Sequence, residues 1–138
     1  MQNFYNSNPG EEARGRKLAL DFEKRLQQGC HTYIDLLSVE EIFHYYHTKN
    51  NLLKAVQLVQ YARTWHPDAA DLFLKEAWLR LELRDHEEAL AAVEQALLLD
   101  PSEPNIVFLK TEILAKLDRY EEAIDLLRGM LSITLSPK

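Results

Sequence analysis

Three alanines stand thirty-four residues apart in this chain, at Ala55, Ala89 and Ala123. Two prolines, Pro67 and Pro101, keep the same step, and so do Ala62, Ala96 and Met130, so three columns hold one register. A fixed period of that length is the mark of a repeat array. Each unit reads as two amphipathic helices that cannot bury their apolar faces alone, so the units must stack and cover one another. The expected fold is all-α, a right-handed α-solenoid of antiparallel helix pairs. A chain of 138 residues, 46% of them apolar, is one domain by length and has enough apolar surface for a continuous core.

Local signals divide the chain further. Residues 1–10, with Asn8-Pro9-Gly10, read as a flexible tail in which Phe4 and Tyr5 are candidates for docking. Residues 11–29 read as a capping helix, with Leu18, Phe22 and Leu26 at i, i+4, i+8 and Gly29 as its stop. That helix is expected to lie on Ile42, Tyr45 and Tyr46, because a repeat array needs a cover for its first apolar face. Repeat 1 spans 36–67, repeat 2 spans 70–101 and repeat 3 spans 104–137. Ser38 with Glu41 has the form of a capping box, and Leu37 with Ile42 that of a hydrophobic staple, which together place a helix start near Val39. Asn50 and Asn51 break that helix. Asp85 with Glu88, and Asp118 with Glu121, read as acidic caps, and Pro104 suits a first helical turn.

The segments Asp85–Pro101, "DHEEALAAVEQALLLDP", and Asp118–Leu131, "DRYEEAIDLLRGML", resemble tetratricopeptide repeats. The resemblance implies a TPR-like solenoid in which a small residue in the first helix and two alanines in the second permit close crossing. Ala77, Ala89, Ala96 and Pro101 fill those columns in repeat 2. Repeat 3 has Thr111, Ala123 and Met130, with Leu135 where proline is expected, which implies a degenerate end. Repeat 1 keeps Tyr46, Ala55, Ala62 and Pro67 but puts Phe43 at the small-residue column, so its two helices are expected to sit further apart. Beyond Leu126, Leu127, Met130 and Leu131 no solvating helix follows. Pro137 falls where a further repeat would begin, so the chain reads as the N-terminal part of a longer, bacterial-type array, or else as one whose uncovered C-terminal face pairs with a second copy.

Composition narrows the function. Formal net charge is −6, and the longest basic cluster is Arg14-Gly-Arg16-Lys17, so nucleic acid is not an expected partner. No apolar run approaches the roughly 20 residues of a membrane span, and the N-terminus lacks a basic start followed by an apolar core. The one cysteine, Cys30, cannot form an internal disulfide and fits a reducing compartment, so a cytoplasmic location is expected. His44 and His47 lie on one helical face with His31 nearby, but no cysteine or carboxylate completes a zinc spacing, and no metal or cofactor is expected. His66 and His86 read as structural, and Cys30 lacks a basic neighbour placed to activate it. Phosphate loops, nucleophile elbows and paired catalytic carboxylates are not evident, so the chain is not expected to be an enzyme.

Binding remains. The resemblance implies that the first helices of successive repeats line a concave groove. Carried over column by column, its residues are Leu37, Glu40, Glu41, His44 and His47, then Asp71, Leu74, Lys75, Trp78 and Leu81, then Asn105, Phe108, Leu109, Glu112 and Lys116. An apolar, aromatic centre with an acidic rim suits a peptide or helix with apolar anchors and basic flanks. One subclass of the family clamps acidic chaperone tails with basic and amide residues in these columns. Here Glu40 and His44 stand instead and only Lys75 resembles the clamp, so such tails are not the expected ligand. The expected function is a non-catalytic protein-interaction scaffold, the alternative being homo-oligomerisation.

Overall fold

The computed structural model describes residues 9–135, with side chains as far as Ser132, so the Phe4 and Tyr5 docking expectation and Pro137 lie outside it. Among the described residues there are seven α-helices and no strand. The chain divides between Pro67 and Asp68 into two compact units. Unit 1 contains α1 (Pro9–Gln27), α2 (Leu36–Thr48) and α3 (Leu52–Trp65). Unit 2 contains α4 (Ala70–Glu82), α5 (His86–Leu99), α6 (Pro104–Lys116) and α7 (Tyr120–Leu135). Within each unit every helix packs on the next, the all-α arrangement read from the period.

The periodic alanines lie where helices cross. Ala55, Ala62, Ala77, Ala89 and Ala96 are fully buried and Ala123 nearly so. Column by column, residue size sets the packing. With Ala77 at its crossing, α4 lies against α5 far more extensively than α2 against α3, where Phe43 is buried, or α6 against α7, where Thr111 stands. The small residue at that column goes with the more extensive contact of α4 on α5.

A second thirty-four-residue step appears in the backbone. Asn50, Arg84 and Asp118 all have left-handed φ, at 58°, 62° and 61°. Each sits in the turn joining the two helices of a repeat. The amide one residue later closes back on the last helical turn, from Asn51 to the Tyr46 carbonyl, Asp85 to Arg80 and Arg119 to Leu114, at 2.8 Å in every case. This is the closure that usually recruits glycine, because a Cβ in the left-handed region costs about 1–2 kcal/mol. Arg84→Gly is therefore expected to stabilise unit 2 by about 0.5–1 kcal/mol, less than the full cost because glycine loses more chain entropy on folding. A urea-unfolding midpoint that rises with unchanged slope checks it.

The turn geometry corrects one cap. Asp118 occupies the left-handed position rather than the cap, and the residue that stands one repeat after Asp85 is Arg119. Arg119 reaches Glu122 through two hydrogen bonds, 2.7 and 2.9 Å, and Asp118 accepts the Tyr120 hydroxyl at 3.0 Å. Asp85 stands at the cap of α5, yet its side chain makes no capping bond and turns 3.4 Å from the Arg80 guanidinium. The helix dipoles are met by Glu87 with Glu88, and by Glu121 with Glu122, in the first turns.

In unit 1 the start of α2 also differs from expectation. Helix α2 begins at Leu36, not near Val39, and Asp35 is its cap, accepting from the Ser38 N–H at 3.1 Å and the Ser38 hydroxyl at 2.7 Å. A carboxylate outcompetes the Ser38 hydroxyl because its charge strengthens both bonds and meets the dipole. Leu37 is consequently exposed instead of forming a staple. The same two bonds hold the Asp35 carboxyl below the usual range, so its contribution is complete above the unfolded pKa and fades as pH falls through the lowered value.

Helix α1, which already includes Pro9 and Gly10, buries Gly15, Ala19 and Phe22, while Leu18 and Leu26 are only half-buried. Gly15 permits the contact with α2, since a Cβ there would stand 3.1 Å from both the Glu41 carbonyl oxygen and Tyr45 Cβ. Ion pairs from Arg14 to Glu41 and from Glu12 to Lys49 flank it. Further along, the buried Tyr46 hydroxyl donates to Glu23, which Lys54 approaches at 3.3 Å. Burial, then that carboxylate, push the Tyr46 phenol well above its ordinary value.

Candidate peptide-binding face

The expected binding columns fall on α2 in unit 1 and on α4 and α6 in unit 2, and each set is described within its own unit. On α2, Leu37 and Glu40 are exposed, while His44 and His47 are half-buried. The His47 ring stacks on Phe43, with centroids 6.0 Å apart and planes 17° apart, one helical turn along. Glu41 is taken up by Arg14. This end of α2 is aromatic and imidazole-rich, and the Glu41 carboxylate is engaged in holding α1.

In unit 2, α4 and α6 are neighbours, both packed on α5, so residues one repeat apart occupy equivalent places on parallel elements. Their exposure follows the columns. Asp71 and Asn105 are exposed, Lys75 and Leu109 are buried, and Trp78 and Glu112 are exposed. Phe108 is 52% exposed and Trp78 37%, large values for rings on helices whose opposite sides form the core. Leu74 and Leu81 are half-buried and rest on the core cluster that includes Ala77, Ala89, Val93, Ile106 and Ile113. The face thus has two accessible rings, an apolar floor shared with the core, and Asp71, Asn105 and Glu112 among its polar residues.

Lys75 does not stand on that rim. It is 8% exposed and lies 2.5 Å from Asp71, so its charge is folded into the surface and matched by a carboxylate one turn earlier. Beneath it is a feature that residue periodicity did not indicate. Glu76 is 6% exposed, 3.6 Å from Arg80, which in turn reaches Asp85. Adjacent charged residues in a helix normally mark a solvated face, and only the three-dimensional packing shows this one to be closed over. Lys110 pairs with Glu94 at 3.5 Å between α6 and α5.

Other candidate groups have plain structural settings. The His66 Nε2–H donates to the Ile34 carbonyl at 2.7 Å, tying the linker after α1 to the end of α3, and the Tyr61 hydroxyl ties the same linker at the Thr32 carbonyl. Cys30 is an exposed free thiol. Among the described residues, no three His, Cys, Asp or Glu side chains are grouped to hold a metal ion, and no helix is long and apolar enough to cross a membrane.

On α7, Tyr120, Ile124, Leu127 and Leu131 recur at i, i+4, i+7, i+11 and all are exposed, beside the Ala123 and Leu126 positions that meet the core. The apolar arc of this helix is wider than the contact it makes.

Residues 74–138 match the family model of the tetratricopeptide repeat. No curated protein sequence matches the chain.

Proposed function

We propose, from the premise that this chain belongs to the tetratricopeptide repeat family, that it is a non-catalytic, cytoplasmic scaffold whose α4–α6 face receives a segment of another protein. Repeats of this family generally mediate protein–protein interaction, and the observation that carries the finer reading is the exposure of Trp78 and Phe108 on adjacent first helices. Aromatic rings held on rigid helices lose little freedom on binding and dominate the energy of interfaces. Leu74 and Leu81 supply an apolar floor, and Glu112 adds negative charge to a chain of net charge −6, the Asp71 carboxylate being matched by Lys75. A ligand segment with apolar anchors and Lys or Arg flanks suits both features.

The α7 stripe favours a second reading, self-association through the last helix, because an apolar strip of four residues on one face is the kind of surface that a copy of itself can cover. One experiment addresses both. A random peptide library is selected on the immobilised chain, after its mass in solution has been measured over a concentration series. Enrichment of apolar-and-basic peptides that fail to bind a Leu74→Ala/Trp78→Ala chain supports the scaffold reading. A mass that rises with concentration, together with a selection that yields no consensus, overturns it in favour of self-association.

A further inference from the structure

Unit 1 contains a cleft of about 210 Å3 between α1, the linker at residues 30–35, α2 and α3. Its apolar walls are Leu18, Phe22, Leu26, Ile34, Ile42 and Tyr61. The cleft is built rather than incidental, because the linker wall is pinned at both Thr32 and Ile34 by the hydrogen bonds from Tyr61 and His66. Behind it Phe22 and Tyr61 meet edge to face, centroids 5.2 Å apart at 77°. Size discriminates among occupants. Pockets for cofactors and drug-sized molecules begin at about 300 Å3, whereas an apolar cavity of about 150 Å3 already takes up benzene. A single aromatic ring fits, and it would join rings already arranged in the edge-to-face geometry that aromatic groups prefer.

The charged residues at this cleft are Asp21, Arg25 and Asp35. Arg25 is held by Asp21 at 3.1 Å, one turn apart on α1. The Asp35 carboxylate is kept ionised by Ser38 and has no cation assigned to it by that capping role. The balance is one negative charge in excess, which favours a cationic group beside the ring.

We infer that this cleft is a second docking point, on unit 1 alone, for a partner protein's exposed aromatic side chain with a lysine or arginine next to it. It is independent of the α4–α6 face.

The test is a titration of the full chain, followed by amide resonances, with three capped dipeptides as probes: acetyl-Phe-Lys-amide, acetyl-Phe-Glu-amide and acetyl-Ala-Lys-amide. Saturable shifts are expected at Thr32, Tyr33 and Ser38 with the two Phe peptides and not with Ala-Lys. Phe-Lys should bind about fivefold tighter than Phe-Glu, the effect of one nearby surface charge. Leu26→Trp, at a half-buried lining position, should fill the cleft and abolish the shifts. Asp35→Asn, which keeps a good cap, should leave ring binding in place and erase most of the Lys-over-Glu preference. Linear, unsaturable shifts would overturn the inference, as would shifts centred on Trp78 and Phe108 or binding unchanged in Leu26→Trp. Shifts at the cleft that grow with protein concentration alone would assign it to a second copy of this chain and overturn it as well.

Discussion

Replacing Trp78 and Phe108 together by alanine is expected to weaken binding of a selected apolar-and-basic peptide by about a thousandfold. Each ring is taken as an anchor contributing about 2 kcal/mol, and every 1.4 kcal/mol is tenfold in affinity. Truncating partly buried rings also removes packing, so loss of binding must be separated from loss of fold. The chain supplies its own control. Trp65, on α3 in unit 1, is 38% exposed against 37% for Trp78, so Trp65→Ala removes a ring of the same size and nearly the same exposure. Its ring meets Tyr33 edge to face, so a stability cost is expected there as well. Calorimetric titration should show full affinity for Trp65→Ala and none measurable for Trp78→Ala/Phe108→Ala. Equal losses in both would mean that binding follows overall stability and that the α4–α6 face is not the site.

The second large effect concerns Arg80. Arg80→Met keeps the length and apolar stem of the side chain but removes the guanidinium from the Glu76 carboxylate, which is 6% exposed. Removing one member of a buried ion pair typically costs 3–5 kcal/mol, but no hydrogen bond joins these groups at 3.6 Å and the Arg80 side chain is 20% exposed, so the expected loss is about 1.5–2 kcal/mol. Glu76→Leu in the same chain should restore most of the loss, because two apolar groups of similar size need no charge compensation. Urea unfolding of the two variants checks both statements. A single Arg80→Met change that costs under about 1 kcal/mol would place the pair with ordinary surface ion pairs.

These two predictions differ in how far the sequence could have led to them. The columns that hold Trp78 and Phe108 come from the resemblance to tetratricopeptide repeats, which leaves open whether the two rings face outward or into the core. Ala77, Ala89 and Ala96 are all fully buried, which is what a period set by packing requires. Lys75 and Glu76 were not legible in the same way. Two neighbouring charged residues ordinarily face water, and although their i, i+4 partners Asp71 and Arg80 can be read from the spacing, their burial cannot.

The caps show a different limit. Asp35 and Ser38 lie three residues apart, both are good caps, and the choice turned on charge, which moved the start of α2 by three residues. Asp118 reads as a cap by residue type, but turn closure demands a left-handed residue at that step, as at Asn50 and Arg84, and the cap passes to Arg119. The linker at 30–35 carried no periodic signal, so the cleft it walls emerges only once Tyr61 and His66 are seen to hold it.

Gly15 brings the backbone of α1 against the Glu41 carbonyl, with Arg14 and Glu12 fastened on either side. A joint made of side chains alone can roll, since one rotamer replaces another as the surfaces turn. Here a rotation of α1 that brought Arg14 or Arg16 to this point would press a long side chain where a lone Cβ already stands 3.1 Å from its neighbours. The contact therefore acts as a key in a slot, favouring one angular setting of α1 on α2.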